Sequence, residues 1–350
     1  DGLLYDQAAP PKHLEPALVS RLKVMARMDI SEKRLPQDGV ARVRVGQREI
    51  DIRVSSIPVA EGERVVLRLL HRDVALLPLA GLGLGDSMLA DLEAILQEAR
   101  GIILVCGPTG SGKTTALYAA LQRLNKERTN ILTIEDPIEY QLPDIGQIQV
   151  KPKIGLTFAA GLRHILRQDP DTILVGEIRD LETAEIAMRA SLTGHLVFST
   201  LHTNNAPEAI VRLCDMGIEP YLLAASLRAV LAQRLVRRLC PACRKTILPN
   251  AAGLPALLKN KLGSQPVWEA QGCAACLEGY RGRIGLFELM VVDEELGEAV
   301  RTGHSASQAL MELAIRKGMT TLLADGLAKM AQGITSLSEL ARAIGRSPGA

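Results

Sequence analysis

Residues 107–114 read Gly107-Pro108-Thr109-Gly110-Ser111-Gly112-Lys113-Thr114, with Thr115 next, and this stretch decides the fold. It fits G-x-x-x-x-G-K-[ST], a loop whose glycines let backbone N–H groups wrap phosphate oxygens while the following helix adds the positive end of its dipole. The motif has that meaning only between a strand and a helix. Both flanks are present: an apolar run at residues 102–105 and a helix-compatible run at 115–124. In such a loop Lys113 reaches the β and γ phosphates and Thr114 offers its hydroxyl to Mg²⁺.

Downstream, short aliphatic runs at residues 131–134, 172–175 and 196–199 alternate with helical patterns, which predicts a largely parallel α/β sheet. Upstream the pattern changes. Leu18, Leu22 and Met25 recur at helical spacing over residues 14–28, and Pro36-Gln-Asp-Gly39 supplies a turn. Then Val43 and Val45, Ile50, Ile52 and Val54, and Val65, Leu67 and Leu69 alternate with polar residues, among them Arg53 and Arg68. This predicts a small antiparallel sheet. Pro78, Gly81, Gly83 and Gly85 mark a linker before a helical stretch at 87–98. The expected division is a first domain over residues 1–80 and a second over 81–350. The second contains a cysteine-bearing part at 238–290 and C-terminal helices at 291–350, including 307–317 and 322–331.

The whole-chain numbers narrow the function. With 350 residues, 47% of them hydrophobic and 23% charged, the chain is an ordinary globular one, long enough for about two domains. A formal charge of +2 and nine aromatics give neither the basic field nor the stacking platform of a nucleic-acid binder, so no nucleic-acid partner is expected. No apolar run approaches the roughly 18 residues of a membrane span. The chain starts at Asp1 with no legible secretory signal, and is read as a fragment of a longer chain. Four of its six cysteines form C-x-x-C pairs, which points to a metal site in a reducing, cytoplasmic setting.

Four further patterns carry chemistry. Ile173-Leu-Val175 runs into Gly176-Glu177, with Gly where nucleotide hydrolases often carry Asp. Glu177 is then the carboxylate best placed to orient or deprotonate the attacking water, the alternative being a structural pair with Arg179. Residues 133–140 bring Glu135, Asp136 and Glu139 to the end of another buried strand, the sheet edge where ligands bind. His195 and His202 bracket a strand and suit sensing or polarising a phosphate. Cys240-Pro-Ala-Cys243 and Cys273-Ala-Ala-Cys276 offer four thiolates for a closed Zn²⁺ site, with a spacer somewhat longer than the usual template. Cys106 and Cys214 read as inert core thiols. Arg234, Arg237, Arg238, Arg244 and Lys245 read as a solvated face, or less often one that meets acidic lipid or protein.

Taken together these segments resemble the secretion ATPases of the type II secretion and type IV pilus assembly systems. The phosphate loop, the acidic segment 133–140, the Gly-Glu of 173–180, the histidine segment 193–204 and the tetracysteine pattern followed by Gly279-Tyr-Arg-Gly-Arg-Ile-Gly285 occur in family order. The resemblance implies a RecA-like P-loop ATPase domain preceded by a PAS-like domain, assembled as a homo-hexamer with ATP between the domains. It implies Lys113, Glu177, Glu135, His195 and His202 as catalytic residues, joined by Arg53 and Arg68 reaching from the first domain. It also implies a cytoplasmic protein, peripheral on the inner membrane of a Gram-negative-type bacterium, working with secretion platform proteins and touching acidic phospholipid. The tetracysteine element and residues 225–240 look more like type II secretion than pilus assembly. The rival readings are a pilus-extension ATPase, a DNA-transfer ATPase and a zinc-stapled scaffold that binds nucleotide without turnover.

Overall fold

A computed structural model describes residues 9–46, 48–71, 77–125, 129–247, 266–302 and 306–345. The chain divides into two compact units, residues 2–75 with 139–141, and residues 76–138 with 142–350.

In the first unit α1 (Glu15–Met25) precedes three antiparallel strands, β1 (Gln37–Val45), β2 (Arg48–Val59) and β3 (Gly62–His71), which lie in that order. The helix comes close to β1 because Gly39 has no side chain: a Cβ there would lie 2.2 Å from the Ala26 carbonyl oxygen. Ala26, Ala41 and Val54 form the small core beneath it. Of the expected apolar stripe of α1, Leu22 and Met25 are half-buried, Met25 against that core, and Leu18 departs from it. Leu18 is exposed while Lys23 is 1% exposed, its ammonium paired with Glu63 and donating to the Glu32 carbonyl at 2.8 Å. A fully partnered lysine can be buried with its aliphatic stem in the core, and periodicity alone cannot foresee that.

The second unit runs α2 (Asp86–Gln97), β4 (Gly101–Cys106), α3 (Lys113–Leu124), β5 (Ile131–Glu135), β6 (Gly146–Gln149), α4 (Phe158–Ile165), β7 (Thr172–Val175), α5 (Leu181–Leu192), β8 (Leu196–Leu201), α6 (Ala206–Asp215), α7 (Pro220–Ser226) and β9 (Leu227–Leu239). There follow β10 (Lys245–Ile247), β11 (Val267–Glu269), β12 (Tyr280–Val291), α8 (Glu294–Arg301), α9 (Ser307–Arg316), α10 (Leu322–Ala331) and α11 (Leu337–Ile344). A seven-stranded sheet has the order β12-β9-β4-β8-β7-β5-β6, parallel except for β12, which pairs antiparallel with β9. Every residue of β4, β7 and β8 is buried, as helices on both faces require. Since β4, β5, β7 and β8 run the same way, the phosphate loop, Glu135, Glu177 and His202 all leave the sheet at one edge.

The arginine cluster is not one solvated face. Arg238 is exposed, but Arg234 and Arg237 are each 8% exposed and point into the packing around β9. Arg237 meets Glu339 at 3.0 Å and lies over the Tyr280 ring, and Glu339 also accepts from the Arg237 backbone N–H at 2.9 Å and from Arg342 at 2.7 Å. Burial pushes the Glu339 carboxyl up, but the two arginines and that N–H outweigh it and hold its pKa below the ordinary value. A group depressed in this way stabilises the fold above its unfolded pKa and loses that contribution as pH falls through its folded one. Removing one partner strands a buried charge, so Glu339→Ala is expected to cost about 3–5 kcal/mol. Denaturant unfolding checks it.

Candidate active site

The phosphate loop leaves β4 at Gly107, whose N–H donates to the Leu201 carbonyl at 3.3 Å. Gly107, Gly110 and Gly112 have φ of 148°, 78° and 90°, values an L-residue adopts only with strain. Two of these glycines are also required by a neighbour. A Cβ on Gly107 would lie 2.4 Å from the Gln233 carbonyl oxygen, and one on Gly112 would lie 2.8 Å from Gln233 Nε2. The helix α3 starts at Gly112 with no side-chain cap, as do α1, α2, α7 and α9, and what sets it apart is the glycine loop that precedes it. A helix N-terminus behind such a loop is where an anion can meet free N–H groups. Lys113 Nζ donates to the Gly107 and Pro108 carbonyls at 2.7 and 3.1 Å, a parking place from which a phosphate can draw it. Burial pulls its pKa below the ordinary lysine value, and the Cys106 and Glu177 sites oppose that shift.

Gly176 follows β7 where a carboxylate was the family-independent expectation, and the packing explains the substitution. A Cβ at 176 would come within 3.2 Å of the Ile134 carbonyl oxygen and 3.3 Å of Glu135 Cα, because the Gly176 N–H bonds that same carbonyl at 2.8 Å. A side chain at 176 would be a tight fit there, and the carboxylate next along the chain is Glu177. Glu177 lies 2.6 Å from Arg179 and 3.7 Å from His202 Nε2. Burial and the charge of Lys113 keep the His202 pKa below its ordinary value against the pull of Glu177.

Glu135 sits at the same edge but is 4% exposed. Its oxygens accept from the Tyr118 hydroxyl, from Thr133 Oγ1 at 2.6 Å and from Gln147 Nε2 at 3.1 Å. It is a carboxylate enclosed in a polar network, in contrast to the more open Glu177. The structure does not bring His195 to the loop. It precedes β8, and its backbone carbonyl bonds Gly101 N at the start of β4, so it lies at the opposite end of the strands from His202. Its Nδ1 is occupied by the Ala190 carbonyl at 2.9 Å. The reason is geometric: residues at the two ends of one strand emerge at opposite sheet edges.

Sequence reasoning missed the residues that hold the His202 loop. Arg234 donates to Asn204 Oδ1 at 2.9 Å, Asn205 caps α6, and the 2% exposed Glu288 accepts from Ala206 N at 2.8 Å and from Leu322 N at 3.2 Å. Asn205, followed by Pro207 and Glu208, is a legible helix start, whereas Arg234 and Glu288 reach the loop only through strand pairing and carry no local signal. Cys106 is buried as expected, and burial pushes its thiol up to about 12.

Arg53 and Arg68, in the first unit, are direct partners across β2 and β3. They share the face opposite Val54, and among the described residues neither is in an ion pair.

Far along β9 the chain reaches Cys240, and all four expected sulfurs meet within 4.8 Å of one another. The separations are 4.0 Å for Cys240–Cys273, 3.7 Å for Cys243–Cys276 and 3.6 Å for Cys273–Cys276. A Zn–S bond of about 2.3 Å gives tetrahedral S···S edges of about 3.8 Å, so the donor set fits zinc in size and chemistry.

The model of the family described as Type II/IV secretion system protein matches residues 1–342. The chain is 54% identical to the type II secretion system protein HxcR of Pseudomonas aeruginosa over 98% of its own length and 69% of that protein. It is 51% identical to the type II secretion system ATPase E of Vibrio cholerae over 98% of its length and 68% of that protein. Among solved structures it resembles the pilus retraction motor PilT with bound ADP, with a TM-score of 0.63 and 28% identity over 90% of this chain and 79% of that one. No described helix is long and apolar enough to cross a membrane. With an uncapped glycine loop, a strand-end glutamate and a four-cysteine cluster on a RecA-like sheet, the chain belongs to the Type II/IV secretion system protein family, as one of its type II secretion ATPases.

Proposed function

We propose that ATP is hydrolysed at the shared edge of β4, β7 and β8 with Glu177 as general base. The observation that carries this reading is the convergence of Lys113, Glu177 and His202 at the strand ends beside the glycine loop. Backbone N–H groups of residues 107–115 and Lys113 hold the phosphates, Thr114 holds Mg²⁺, and His202 hydrogen-bonds the γ-phosphate or Glu177. Bound Mg²⁺ supplies charge neutralisation at the β and γ oxygens. Glu135 keeps the β5 end in place through Tyr118, Thr133 and Gln147.

By the family resemblance, Arg53 and Arg68 of the first domain would act on the bound nucleotide. Two guanidinium groups directly opposite each other on a sheet repel, so their placement costs free energy that an anion would recover. On a γ-phosphate they would stabilise transition-state charge and tie domain closure to the nucleotide present. Arg53→Ala and Arg68→Ala are each expected to cut turnover at least ~10-fold with metal content and folding intact. Parental rates from both variants in the assembled, partner-stimulated protein would reject the role.

The motor works as a homo-hexamer on the cytoplasmic side of the inner membrane, against secretion platform proteins and acidic phospholipid, and drives pseudopilus assembly and protein export. The family relationship supports this assembly. Cys240, Cys243, Cys273 and Cys276 hold one structural Zn²⁺ per chain and leave no open coordination position. Elemental analysis of freshly purified, reduced protein is expected to give one zinc per chain. Cys243→Ser is expected to lose that zinc and loosen the β10–β11 ribbon while nucleotide affinity stays near parental. Zinc-free parental protein would overturn the assignment.

A further inference from the structure

Residue 233 of β9 touches both ends of the phosphate loop, its carbonyl oxygen against Gly107 and its side-chain nitrogen against Gly112. The contact follows from pairing, because Cys106 of β4 is the partner of Ala232 and the next residue of each strand leaves side by side. Gln233 is 2% exposed and Ser111, inside the loop, is 3% exposed. Gln233 Oε1 and Ser111 Oγ are both buried without a hydrogen-bond partner. A lone acceptor and a lone hydroxyl thus flank the same loop, and the same Gly107 Cβ position lies 2.7 Å from Ser111 Oγ. Buried groups of this kind are almost always paired, so this couple calls for a partner.

The loop has a reason to change. Lys113 is anchored on the Gly107 and Pro108 carbonyls, at one end of the loop. A phosphate that takes Lys113 releases both carbonyls and lets the loop settle against β9. We propose that Gln233 is a positioning residue of the phosphate loop, its side-chain carbonyl receiving the Ser111 hydroxyl when nucleotide fills the loop. The bond forms only in the filled state and therefore adds to nucleotide affinity. The inference rests on nucleotide binding by residues 107–115. It concerns β9, which that motif does not include.

The test is a double-mutant cycle on Mg·ADP affinity in the full chain, with Ser111→Ala, Gln233→Met and both together. Each single variant is expected to bind Mg·ADP about 5-fold more weakly, the scale of one net hydrogen bond, and the double variant no more weakly than either single. Without nucleotide, each variant is expected to unfold at the parental temperature or above, because it removes an unpaired buried group. A merely structural role predicts the reverse, a less stable empty protein with unchanged affinity. Parental affinity in the single variants, or losses that multiply in the double variant, would overturn the proposal. If Gln233→Met does not fold, Ser111→Ala decides alone: parental affinity refutes the pairing. A parental chain that binds no Mg·ADP would instead sink the nucleotide-site reading, a distinct outcome.

Discussion

Lys113→Ala is expected to reduce Mg²⁺-dependent phosphate release to background. The ammonium is the charge that the loop aims at the β and γ phosphates, and Ala offers neither charge nor reach. Its present anchorage on the Gly107 and Pro108 carbonyls shows that it is held at the loop's mouth and free of any carboxylate. Its loss also leaves those two carbonyls without the ammonium that holds them, so the loop's geometry suffers together with its charge. Nucleotide affinity is expected to fall along with turnover, while zinc content and the far-ultraviolet circular dichroism spectrum stay parental. Turnover at the parental rate would remove the ATPase assignment from this loop.

Glu177→Gln is expected to separate binding from chemistry. The amide keeps the shape of the side chain and can still meet His202, but it cannot take a proton from water, and loss of a general base typically costs 10²–10⁴-fold, about that much in kcat here. Mg·ATP affinity is expected to stay within about 3-fold, since positioning and charge on the phosphates come from the loop and Lys113. Arg179, which now lies 2.6 Å from the carboxylate, loses its ion pair but is well exposed, so folding is little changed. Loss of nucleotide binding in this variant would instead make Glu177 a structural partner of Arg179.

The parts of the fold that were legible in the sequence are those encoded locally. The strand, glycine loop and helix at residues 101–124 depend on neighbours in sequence, and β5, β7 and β8 are short, mainly aliphatic runs of the kind a buried parallel sheet accommodates. The β9–β12 ribbon was not legible. Leu227–Leu239 is made largely of Leu, Ala, Gln and Arg, residues that favour helix, and its burial on both faces erases the alternation that marks a strand. The same blindness hid Gln233, whose contact with the phosphate loop exists only through the pairing of β9 with β4. Charge misled in a related way. Arg234 and Arg237 read as part of a solvated face, yet each is buried because a partner distant in sequence, Asn204 or Glu339, hydrogen-bonds or neutralises it, as Glu63 does for the buried Lys23. His195 and His202 look equivalent in the chain, and only the direction of β8 separates the one at the loop from the one at the far edge. The tetracysteine cluster was legible because two chelating pairs announce themselves whatever lies between them.

The central claim is that the glycine loop binds ATP and that Glu177 activates the water that cleaves it. The most direct measurement is the identity of the nucleotide extracted from Glu177→Gln after incubation with Mg·ATP and rapid removal of the excess. The account predicts bound ATP, uncleaved, where the parental protein yields ADP and Lys113→Ala yields almost no nucleotide. ADP on Glu177→Gln, formed at the parental rate, would contradict it.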